Sequence, residues 1–182
     1  MRIIGIDPGL QATGWGVIAP EGSQLRGVAH GIIRTTTRMN DPERLAQIFE
    51  GLQNVITNYQ PEIAIIEEIF VKDNPRSALR LGLARGVAIL ACGQARLALS
   101  EISARKVKQA VTGTGTADKK QVADMVSRLL GIPPPPSDAA DALALAIACY
   151  QGAAAPKTET AQMPDGLSAA IEAACRRDRQ KS

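Results

Sequence analysis

The sequence predicts an α/β sheet of mixed direction with helices on both faces, and three observations predict it. Ile3-Ile4-Gly5-Ile6 and Ile63-Ala64-Ile65-Ile66 are short, β-branched apolar runs of the kind that forms strands buried on both sides. Between them, residues 14–18 and 27–33 read as two more strands, joined into an antiparallel hairpin by a turn at Ala19-Pro20-Glu21-Gly22. The rest of the chain carries apolar residues three and four apart, the helical period. The resulting order, β-β-β-α-β-α-β-α-α-α, fits a layered sheet.

The first strand ends abruptly on Asp7, because Pro8 cannot donate to a ladder and Gly9 admits turn conformations. Asp7 therefore stands at the mouth of a sheet. On its own it reads equally well as an Asx-turn residue bonding its own backbone. His30 lies in the third strand and receives no role. Asn40-Asp41-Pro42-Glu43 reads as a helix start, followed by the stripe Leu45, Ile48, Phe49, Leu52, Val55 and Ile56 and closed by Pro61. The strand at residues 62–69 repeats the pattern of the first, an apolar ladder interrupted by an acid, Glu67; alternation turns Glu68 away from it.

Residues 76–97 read as a long helix rich in glycine and alanine, and residues 98–102 as a fifth strand. Ser103 is expected to cap a helix through Val111, and residues 113–116 form a loop. Residues 119–130 are amphipathic and close on Gly131. Four prolines, 133–136, make a stiff connector to a last helix, 138–149, capped by Ser137. Residues 1–152 are thus expected to form one domain and residues 153–182 a weakly ordered tail.

The overall charge of +3 is unevenly placed: net −3 over residues 1–70, +7 over 71–130 and −1 over 131–182. A basic middle between acidic flanks suits a polyanion partner on one surface, although an ordinary solvated basic face has the same composition. Cys92, Cys149 and Cys175 form no CxxC pair and no even-numbered framework, which argues for a reducing compartment and against structural zinc. With no signal-like h-region and no 18-residue apolar run, the expectation is a cytoplasmic protein without a membrane partner.

Four acids stand out. If the strands ending at Asp7 and Glu67 are parallel neighbours, their ends lie about 4.8 Å apart. Asp138 and Asp141 lie one helical turn apart on one face of the last helix. Taken alone, that pair is adequately explained as complementing the helix dipole. Yet Asp141 interrupts an apolar face, and a dipole effect below ~1 kcal/mol does not offset burying a bare charge. Carboxylates so close repel by several kcal/mol at an effective dielectric near 20 and need protons or cations to persist. Hard divalent ions such as Mg²⁺ suit an all-oxygen cluster, and a pair of them is the recurrent device for phosphodiester cleavage.

Gly5-Ile6-Asp7-Pro8-Gly9 with Thr13-Gly14, Ile65-Ile66-Glu67-Glu68-Ile69-Phe70, Val107-Lys108-Gln109, and the run 138–144 (Asp-Ala-Ala-Asp-Ala-Leu-Ala) together resemble the bacterial RuvC family of Holliday-junction resolvases, in order over residues 1–150. The resemblance implies a ribonuclease H-like fold with a mixed five-stranded sheet. It implies a homodimer that nicks four-way DNA junctions symmetrically during recombination and repair, leaving 5′-phosphate ends. Asp7, Glu67, Asp138 and Asp141 match the family's metal ligands, for two Mg²⁺ per active site with Mn²⁺ as a substitute. Asp7 is expected to bridge the two ions. Lys108 and Lys119 match lysines near the scissile phosphate, where a cation neutralises developing charge. Phe70 reads as a core phenylalanine or as an exposed base-stacker, and the resemblance favours stacking. Lys72, Arg76, Arg80, Arg105, Lys106 and Lys120 read as phosphate contacts without sequence information. The helix from Arg76 is the candidate dimer seam, since two opposed nicks need two sites related by a two-fold. The partner set extends to a branch-migration helicase complex, with no residue assigned to that contact.

Three other readings compete. Asp7-Pro8-Gly9 with Thr13-Gly14 also resembles the phosphate loop of actin- and sugar-kinase-type ATPases, which need two such domains and a second loop. Another ribonuclease H-like nuclease fits the same acids. A junction-binding scaffold with a decayed site is argued against by the complete set of four.

Overall fold

β1 (Ile3–Asp7) runs through the middle of the sheet, hydrogen-bonded on both sides, which is why its residues are apolar without alternation. The computed structural model describes residues 1–22, 24–68 and 75–154, and among these the strand order is β3-β2-β1-β4-β5. β2 (Ala12–Glu21) pairs antiparallel with β1 and with β3 (Gln24–Arg34). β4 (Ile63–Glu67) lies parallel to β1 and to β5 (Ala98–Ile102). The mixed five-stranded sheet is as expected. The hairpin is longer than its sequence suggested, with Ala19 and Pro20 inside β2 opposite Arg26 and Leu25. β1 stops pairing at Ile18, so one side of Pro20 faces no neighbouring strand and its missing N–H costs nothing there.

Helices cover both faces. α1 (Asp41–Tyr59) and α2 (Pro75–Gln94) pack against Ile4, Ile6, Val17, Ala64 and Ile66. On the other face α3 (Ala104–Thr112), α4 (Lys119–Leu130) and α5 (Ser137–Tyr150) pack against Ile3, Ile18, Ile65 and Ile102. α1 starts on a complete capping box between Asn40 and Glu43. α4 starts on a second one, between Asp118 and Gln121, which the sequence reading overlooked although the D-x-x-Q spacing was there. Two expected caps are corrected. Ser103 occupies the cap position of α3 but its hydroxyl makes no cap bond, and Ser137 is the first residue of α5, behind Pro136. Gly131 closes α4 in the left-handed region, as expected.

α5 is the keel of the second face, with Ala139, Ala140 and every residue from Ala142 to Cys149 buried. It lies unusually close to the sheet. A Cβ on Gly5 would run into the Ala142 carbonyl oxygen, and one on Gly14 into the Asp138 carbonyl oxygen. These two glycines are the seat of the helix, and they fix the height at which its first turn sits over β1 and β2. No helix among the described residues is long and apolar enough to cross a membrane.

Candidate active site

Side chains on a strand alternate between faces, and here the alternation decides where the acids point. Ile3 and Gly5 face α5, while Ile4 and Ile6 face α1 and α2. Asp7, two residues after Gly5, therefore points to the α5 side. In β4, Ile63 and Ile65 face α5, so Glu67 points the same way and Glu68 does not. The parallel register sets Ile6 opposite Ile66, which brings Asp7 beside Glu67 at the ends of their strands. α5, seated on Gly5 and Gly14, delivers its first turn to the same place.

The outcome is a cavity of about 300 Å³ lined by Asp7, Glu67 and Asp141, with Lys108 of α3 and Lys119 of α4 on its walls. Asp138 is not part of that lining, but its charge acts on Asp7 and on Lys119. Burial pushes the Asp7 carboxyl up to about 7, and the like charges of Asp141, Glu67 and Asp138 add to the shift. Glu67 is raised for the same reasons, burial first and Asp141 second, with Lys119 and Lys108 opposing. Lys119 Nζ donates to Asp141 Oδ2 at 2.8 Å, and this bond is the chief reason its ammonium holds its proton more tightly than usual. The Lys119 side chain is otherwise largely exposed.

The donor set is all carboxylate, and its unrelieved negative charge is what a hard divalent cation would neutralise. Among the described residues, no three His, Cys, Asp or Glu side chains stand close enough together to enclose an ion as they lie. The fit to a divalent cation rests instead on donor type and charge, with Asp7, Glu67 and Asp141 lining one cavity.

The remaining expected site residues are scattered. Arg105 and Lys106 are exposed on α3 and line a separate cavity of about 600 Å³ that reaches Gln151 and Ala153. Lys120 is tied to Asp124 at 3.0 Å along α4, away from the acids. Arg80 lies beside Leu10, Gln11 and Arg44 on the α2 side. Phe70, Lys72, the side chain of Arg76 and all but the first two residues of the expected tail lie outside the described residues. Sequence reasoning missed Arg44, which is only 4% exposed and reaches the turn that follows Asp7. The signal was its spacing: Arg44, Ile48, Leu52 and Val55 form one buried stripe.

Comparison with known proteins matches the family described as crossover junction endodeoxyribonuclease RuvC over residues 3–149. This chain belongs to the RuvC family. Among its relatives, the crossover junction endodeoxyribonuclease RuvC of Dechloromonas aromatica is 51% identical over 152 residues, covering 83% of this chain and 85% of the relative. That of Caulobacter vibrioides is 47% identical over 147 residues, 80% of this chain and 87% of the relative. The structure of Thermus thermophilus RuvC in complex with Holliday junction substrate matches at a TM-score of 0.79 with 33% identity, covering 86% of this chain and 99% of that one. The yeast mitochondrial Holliday junction resolvase Ydc2 shares the fold, at a TM-score of 0.60 and 14% identity. RuvC membership carries divalent-metal nuclease chemistry with it, and it displaces both the ATPase reading and the decayed scaffold.

Proposed function

We propose that this chain is a Holliday-junction resolvase that works as a homodimer, cutting four-way DNA by paired, symmetric, Mg²⁺-dependent nicks that leave 5′-phosphate ends. The observation that carries the reading is the convergence of Asp7, Glu67 and Asp141 in one cavity with Lys108 and Lys119 on its walls. Membership of the RuvC family supports the junction as substrate, as does the Thermus relative solved with one.

Asp7, Glu67, Asp138 and Asp141 would hold the metal, with Asp7 as the central ligand because the charges of the other three all act on it. When bound, two Mg²⁺ ions supply an activated water for in-line attack and a counter-charge for the departing 3′ oxygen. Lys108 and Lys119 bring positive charge to a phosphate that gains negative charge in the transition state. The walls contributed by Val107, Val122, Ala144 and Leu145 are apolar, and they strengthen each of these interactions by excluding water. Arg105 and Lys106, exposed on α3 next to Val107 and Lys108 of the cavity wall, are proposed as phosphate contacts, and the family resemblance supports Phe70 as a base-stacker.

α2 supports the dimer. Its Ala84, Ala88, Ala91 and Cys92 face the core, whereas Leu79, Leu83 and Leu90 are exposed and nothing stands over Gly82, Gly86 and Gly93. Leu79, Leu83, Gly86, Leu90 and Gly93 recur at spacings of four and three, a seam suited to a second copy.

Cleavage mapping on a mobile four-way junction, a linear duplex and an RNA–DNA hybrid, with and without Mg²⁺, tests the proposal. Paired nicks on the junction alone, only with the metal, are expected. Cleavage of the hybrid in preference to the junction would reassign the site to a ribonuclease H-like activity.

A further inference from the structure

We infer that Arg44 is a positioning residue for the acid centre: from α1 it fixes the turn between Asp7 and β2, and so the direction in which Asp7 leaves its strand. The inference rests on the reading of Asp7 as a metal ligand. β1 and β2 are joined by Pro8–Gln11, and each residue of that turn after Pro8 is held from outside. Thr13 Oγ1 donates to Gly9 O at 2.8 Å, and Gly9 N donates back to the same hydroxyl. Arg44 Nη2 donates to Leu10 O at 2.9 Å, and Thr35 Oγ1 donates to that carbonyl as well. Arg44 Nε donates to Thr35 Oγ1 at 2.9 Å, and Thr35 N donates to Gln11 O. Arg44 Nη1 lies 3.7 Å from Asp41 Oδ1.

A guanidinium this deeply buried is tolerated only where its donors are met, and here the planar fork serves the turn, Thr35 and Asp41 at once. The charges that act on Asp7 come from Asp141, Glu67, Lys119 and Asp138. Arg44 works from the opposite side of the sheet, where Leu10 packs into the α1/α2 core. Its hold on Asp7 is therefore mechanical, transmitted through the backbone of Pro8, Gly9 and Leu10.

Arg44→Lys keeps a cation for Asp41 but cannot reproduce the fork. Thr35→Val removes the hydroxyl that Arg44 and Leu10 share, and it serves as the test where Arg44→Lys does not fold. Full-length variants are compared for Mn²⁺ binding by electron paramagnetic resonance, junction binding in Ca²⁺, single-turnover cleavage and melting temperature. Ile48→Val, an apolar change in the same stripe of α1, controls for simple destabilisation. The expected result is Mn²⁺ binding weakened about tenfold and cleavage slowed by a similar factor, as when support behind a ligand is lost, with junction affinity within about twofold of the parent. Variants that melt early like Ile48→Val but bind Mn²⁺ like the parent would overturn the inference. A parent that binds Mn²⁺ in an Asp7-dependent way without cutting junctions would instead overturn the proposed function, leaving the role of Arg44 to be read from the metal titration.

Discussion

Asp7 sits where its surroundings resist its charge. In the unfolded chain it ionises near the ordinary aspartate value of 3.8, whereas in the fold it keeps its proton to about 7. The folded state therefore binds the proton more tightly, and the metal-free protein loses stability as pH rises from about 4 to about 7. Below that window both states are protonated and the penalty vanishes. Its full size is on the order of 2–4 kcal/mol. Asp7→Asn removes the ionisation, so calorimetry in EDTA at pH 8 should give a melting temperature several degrees above the parent's, with the gap closing near pH 4. The same variant should bind junctions normally and leave them uncut in Mg²⁺. Asp7 and Glu67 were legible as candidates because each closes an apolar strand, but only the joint set with Asp138 and Asp141 outweighed an Asx turn at Asp7. Arg44 was not, because an arginine at the start of a helix is ordinarily solvent-facing and only its period with Ile48 and Leu52 betrays it.

Among the elements, α5 matters most to the site, and its seat is the most exposed to substitution. Gly14→Ala places a Cβ against the Asp138 carbonyl, so the helix must lift or tilt. Overpacking of this kind costs about 1–3 kcal/mol, and urea denaturation should register it. Because the displaced turn carries Asp138 and Asp141, cleavage should fall further than the stability loss alone explains. The helix starts make a contrast. Asn40→Ala breaks a complete capping box and should cost about 1 kcal/mol, whereas Ser103→Ala removes a hydroxyl that makes no cap bond and should change the same measurement by less than ~0.5 kcal/mol. The elements themselves were readable from period and punctuation. The hairpin turn was misplaced because Pro20 looks like a breaker, and only the early end of β1 makes its place in β2 harmless. The two serine caps were misread because composition does not say whether a hydroxyl turns back to the helix.

At the scale of the whole molecule, the strand order brings residue 7 beside residue 67, and α5 adds the acids of residues 138–141. The sequence supplied the candidates, but their meeting depends on parallel pairing of β1 with β4, which no local pattern encodes. The outward leucines of α2 bear on assembly in the same way. Leu83→Lys puts a charge in the proposed seam without touching the core. Sedimentation should then report a monomer, and cleavage mapping should report isolated nicks in place of pairs.

The acids ride on β1, on β4 and on the final helix of the described fold, and α5 seats directly on Gly5 and Gly14 near the other end of the chain. Without α5, the sheet alone holds Asp7 and Glu67, and the acids of residues 138 and 141 have no seat. Whatever lifts that helix from its two glycines parts the acids without touching any of them, so the site can be dismantled from a distance.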